Sequence, residues 1–94
     1  MVTLHIKVEG AATSSSINID HNNVPLSRGK GKVQLDIQKW YWLGYHFEGK
    51  PQTEMSITLS CESDDVAGLS SNPIVVRIGS TMKSKGGTKK FFLD

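Results

Sequence analysis

The chain has 94 residues, of which 37% are hydrophobic and 21% charged, with a formal net charge of +2. That length suits one domain over residues 1–94 and is too short for two independent cores. The lone thiol, Cys61, excludes an intrachain disulfide and a thiolate cage around a metal, no run nears the ~20 apolar residues of a membrane-spanning helix, and the positive charge is too weak to argue for nucleic acid, which is not an expected partner.

The N-terminal segment opens with the clearest element. Val2, Leu4, Ile6 and Val8 alternate with Thr3, His5, Lys7 and Glu9, the period of a strand with one dry face and one wet face. It has no basic stretch leading into an apolar one, so it does not read as a signal peptide. This points to the cytoplasm, although a processed or exported chain would read the same way. Gly10 to Ser16 is small and polar, hence a loop. Ile17 and Ile19 flank Asn18 in a short second strand. His21 to Gly31 holds paired asparagines, a proline and two glycines, and reads as a long irregular connection.

Val33, Leu35 and Ile37 predict a third strand, after which Gln38 and Lys39 turn the chain. Trp40 to Phe47 predicts an aromatic strand, and Glu48 to Gln52 is turn chemistry. Met55, Ile57, Leu59 and Cys61 alternate with Ser56, Thr58 and Ser60 in a fifth strand. Glu62 to Asn72 reads as a loop, with at most one helical turn at Asp64 to Leu69. Ile74, Val76, Ile78 and Met82 extend a sixth strand, Ser84 to Gly87 suits a hairpin connection, and Lys89 to Leu93 returns as the last strand. About seven short strands divided by turn signals predict an all-β, single-domain antiparallel β-sandwich, immunoglobulin-like or jelly-roll-like in layout.

The aromatic strand breaks the pattern of its neighbours. Tyr41, Leu43, Tyr45 and Phe47 share one face, while Trp40, Trp42, Gly44 and His46 share the other. The first set is expected in the core. The second is the candidate ligand-binding set. Flat aromatic rings give contact area at low entropic cost and carry a polar handle. Gly44 leaves a gap between Trp42 and His46 where a ligand or another backbone can approach.

Lys83, Lys85, Lys89 and Lys90 form a basic cluster with no acid between them. It is a weaker candidate for anion binding, set against a solvated tip whose lysines guard a sheet edge. Asp20 to Asn23 and Glu62 to Asp65 carry oxygen ligands. Calcium asks for about six to eight of them, and neither segment matches a calcium loop, so no metal site is assigned. No serine sits in a nucleophile elbow, no glycine-rich phosphate loop opens a helix, and Cys61 continues an apolar face. The expectation is no enzyme and no cofactor.

Two functions remain. The first is a lectin-like binding module that holds a glycan or small polar ligand on Trp40, Trp42, Gly44 and His46. The second is a structural or assembly protein, such as a phage or secretion-system component or the subunit of a homo-oligomer. There the same aromatic strand would be a protein–protein interface.

Overall fold

A computed structural model describes residues 1–61 and 66–94. They form nine strands: β1 (Val2–Gly10), β2 (Ser14–Ile19), β3 (Asn22–Val24), β4 (Lys30–Leu35), β5 (Lys39–Glu48), β6 (Glu54–Cys61), β7 (Val66–Ala67), β8 (Ile74–Arg77) and β9 (Ser84–Leu93). Two antiparallel sheets pack face to face as a β-sandwich. The four-stranded sheet has the order β4-β1-β6-β8 and the five-stranded sheet the order β3-β2-β5-β9-β7. Only β2 and β3 follow each other within a sheet; every other consecutive pair changes sheets.

The period-two pattern decides which side chains meet. Leu4, Ile6 and Val8 of β1 face inward with Met55, Ile57 and Leu59 of β6 and Ile74 and Val76 of β8. They meet Ile17, Ile19, Tyr41, Leu43, Tyr45, Phe47, Phe91 and Leu93 from the other sheet. Leu4, Ile57, Leu43, Phe47 and Phe91 are fully shielded from solvent. Burial of such side chains supplies roughly 1.5–3 kcal/mol each relative to exposure, so this double layer carries the fold.

Side chains close the ladders where strands run out. The Tyr41 hydroxyl donates to the Asp36 carbonyl at 3.0 Å and accepts from the Asp36 amide at 2.9 Å. It locks the corner at which the chain leaves β4 for the other sheet, a device shared with Greek-key sandwiches. Asn72 pairs with both backbone groups of Leu59, so its amide stands in for a further β8 residue.

Several expectations are corrected. β4 ends at Leu35 and leaves Ile37 exposed, because Gln38 takes a positive φ of 60° and turns the chain before β5. The irregular stretch after His21 contains β3. Asp20 and His21, at φ of 48° and 69°, form the two-residue turn that joins it to β2, as a twisted hairpin requires. β8 stops at Arg77, and a turn closed by the Met82 amide on the Gly79 carbonyl leads to the opposite sheet. Ser84 to Gly87 is not a hairpin connection: these residues lie inside β9, paired with Tyr45 to Glu48. Val66–Ala67 is a short strand rather than part of a loop or helical turn. The Glu62 to Asp65 portion of that expectation lies outside the described residues.

Candidate functional site

The outer face of the five-stranded sheet carries the predicted residues. Alternation turns Trp40, Trp42, Gly44 and His46 of β5 away from the core. β2 and β9 flank β5, so Asn18 lies beside Gly44 and Lys90 beside Trp42. Both indoles are 50% exposed. Trp40 rests against Phe92, with centroids 5.2 Å apart, and against Gly68, where a Cβ would stand 2.7 Å from the indole.

Trp42 is fixed by Asp20, the residue that follows β2. The Asp20 amide donates to the Trp42 carbonyl, and the Trp42 amide donates to Asp20 Oδ1, both at 2.9 Å. The carboxylate thus replaces the next ladder partner as the chain turns away. Trp42 is held on both backbone groups while its indole stays in solvent. A rigid backbone under an exposed ring is the arrangement a binding platform needs.

Next to Trp42 lies a surface depression of about 400 Å³. Trp42, Asn18, His21 and Thr88 line it with Gly44 and Gly87. Gly44 does not leave the open gap expected of it. The Asn18 amide occupies that space, and a Cβ at Gly44 would stand 2.4 Å from its Oδ1. The glycine lets the amide lie flat on β5 within the depression. The side chains of Asn18, His21 and Thr88 hydrogen-bond to no other described residue. Donors and acceptors therefore stand unused beside an apolar ring.

The predicted set is only partly gathered here. Trp42 and Gly44 line the depression. Trp40 stands one pleat away and shares with Trp42 the Lys90 ammonium, 5.0 Å and 5.6 Å from the two ring centroids. His46 lies beyond Gly44, with its Nε2 3.5 Å from Glu48 Oε1.

The basic set separates further. Lys90 projects on the indole face. Lys85 and Lys89 have the opposite parity on β9, and Lys83 precedes the strand. Lys83 lines a depression with Thr13, Glu48 and Lys50 that includes none of the other three. None of the four pairs with a carboxylate among the described residues. Those residues also hold no group of three or more potential metal ligands, and Glu62 to Asp65 lie outside them.

Asn18 and Thr88 carry no site signal in the sequence, and Asp20 and His21 stand out there only as part of a segment with oxygen ligands. The alternation of Ile17, Asn18 and Ile19 does turn Asn18 outward. Its place over Gly44 follows only from the β2–β5 register. Comparison with protein-family models, with curated proteins and with solved structures found no match to this chain.

Proposed function

We propose that the protein is a non-enzymatic binding module that takes a glycan or a similar small polar ligand in the depression beside Trp42. The observation that carries this reading is the half-exposed indole beside three polar side chains that have no hydrogen-bond partner among the described residues. A saccharide ring has apolar C–H faces and hydroxyl edges. It would lay a face on Trp42 while Asn18, His21 and Thr88 exchange hydrogen bonds with its hydroxyls. A few placed polar groups beside an apolar wall is the usual composition of such a site.

Trp40 and Trp42 are the chain's two tryptophans, so intrinsic emission reports on this face alone. A glycan array followed by fluorescence titration of the captured sugar is the direct test. Binding that shifts the emission and weakens by at least about tenfold in Trp42→Ala, a loss of roughly 1.4 kcal/mol, supports the reading. An array without a hit, or a hit indifferent to Trp42→Ala and Asn18→Ala, removes it.

A second reading rests on the ring cluster itself. Trp40, Trp42 and Phe92 place three aromatic side chains on one outer face, a surface that a second copy or a larger partner could cover. Sedimentation separates the two. A monomer at high micromolar concentration with quencher-accessible indoles counts against self-assembly, whereas an oligomer with shielded indoles favours it.

A further inference from the structure

The margin of the five-stranded sheet carries a second inference, independent of the indole face. β9 has ten residues, yet β7 pairs only with its last two, Phe92 and Leu93. Among the described residues no strand covers the rest.

The ladder identifies the unpaired groups. The residues on either side of β2 bond to β5 on that flank: the Asp20 amide donates to the Trp42 carbonyl and the Thr13 amide to the Glu48 carbonyl. Because backbone groups alternate sides along a strand, Leu43, Tyr45 and Phe47 point their amides and carbonyls toward β9. Their partners there are Lys89, Gly87 and Lys85. Ser84, Gly86 and Thr88 therefore aim theirs at the open margin. Lys90 fits the same alternation, since a Cβ on Gly68, which follows β7, would stand 3.7 Å from its carbonyl oxygen.

We propose that this margin is a docking edge for an extended acidic peptide, which adds to the sheet as a sixth strand. Main-chain bonds to Ser84, Gly86 and Thr88 would supply affinity, and side chains at alternate positions would supply selectivity. Charge selects the occupant. Residues 83–90 hold four lysines and no acid, and none of those lysines has a carboxylate partner among the described residues. Acidic side chains four residues apart on the incoming strand would face Lys85 and Lys89. A second copy of β9 fits badly: antiparallel pairing centred on Gly87 sets Lys85 opposite Lys89, a repulsive cross-strand pair.

A fluorescein-labelled peptide of alternating Glu and Thr, with a Gln-for-Glu control, tests this by anisotropy on the full chain. Saturable binding of the Glu peptide is expected, weaker by about tenfold or more for the control. Thr88→Pro removes an amide that faces the margin and leaves the β5 ladder intact, so it should also weaken binding by about tenfold or more. Gly86→Pro repeats the test, and circular dichroism verifies that each variant is folded. Hydrogen exchange on the unsubstituted protein needs no variant: the amides of Gly86 and Thr88 should slow when the peptide is added. No binding to the unsubstituted protein overturns the proposal. Full affinity in a folded proline variant, or unchanged exchange at both amides, also overturns it, because either result leaves only diffuse charge attraction.

Discussion

The two faces of β5 use similar side chains for different ends. Tyr41, Leu43, Tyr45 and Phe47 are buried, with Tyr41 stacked on Phe91 and Tyr45 on Phe47. Trp40 and Trp42, one residue out of phase, are half in water beside Lys90. Polar residues would serve the outer face for solubility, as they do on β6, where Ser56, Thr58 and Ser60 alternate with buried Met55, Ile57 and Leu59. The difference teaches that core burial accounts for the inner aromatics and does not account for the outer ones, which is why a binding role is proposed for them.

That contrast breaks first at the core. Phe47 is completely buried in the middle of the sandwich, and Phe47→Ala should lower unfolding free energy by about 3–5 kcal/mol. Urea denaturation followed by circular dichroism checks this. Trp42→Ala, the matching change on the outer face, should cost clearly less. Equal losses would mean that the outer face is structural too.

A smaller effect is expected where the two faces are joined. Asp20 takes a positive φ and holds both backbone groups of Trp42. Asp20→Gly keeps the backbone geometry accessible and deletes the side-chain acceptor. It should cost about 1–2 kcal/mol and alter the tryptophan emission, while Asp20→Asn should restore most of both. Loss of stability with unchanged emission would show that Asp20 acts on the hairpin and not on the platform.

What the sequence reveals follows the range of the forces involved. Alternation is local, so β1, β5 and β6 and the division of β5 into two faces are all legible in the residues. β3 is hidden because its turn, Asp20–His21, lacks the glycine that usually signals positive φ. β9 is misread for the opposite reason. Gly86–Gly87 resembles a turn, yet Gly87 sits under the Tyr45 hydroxyl, 2.6 Å from where a Cβ would stand. That requirement is tertiary, and no local pattern announces it. The candidate site is half legible in the same way: Trp42 and Gly44 belong to one strand, whereas Asn18 and Thr88 join them only through pairing.

The smallest expected effect is also the sharpest test of the contrast. The Lys90 ammonium is about equally placed over both indoles, and a cation on an exposed ring is worth roughly 0.5–1 kcal/mol. Lys90→Gln should therefore change stability by less than about 1 kcal/mol. It should have a visible optical effect, because the ammonium sits over both rings. Acrylamide quenching of the emission should rise, since no tryptophan elsewhere dilutes the signal. A loss beyond about 2 kcal/mol would exceed any exposed cation–ring contact and make Lys90 part of the fold. Unchanged quenching would mean that the ammonium does not shield the indoles in solution. The predicted pair of results, near-neutral stability with more accessible rings, would place Lys90 as a removable cover on a surface that folding does not need.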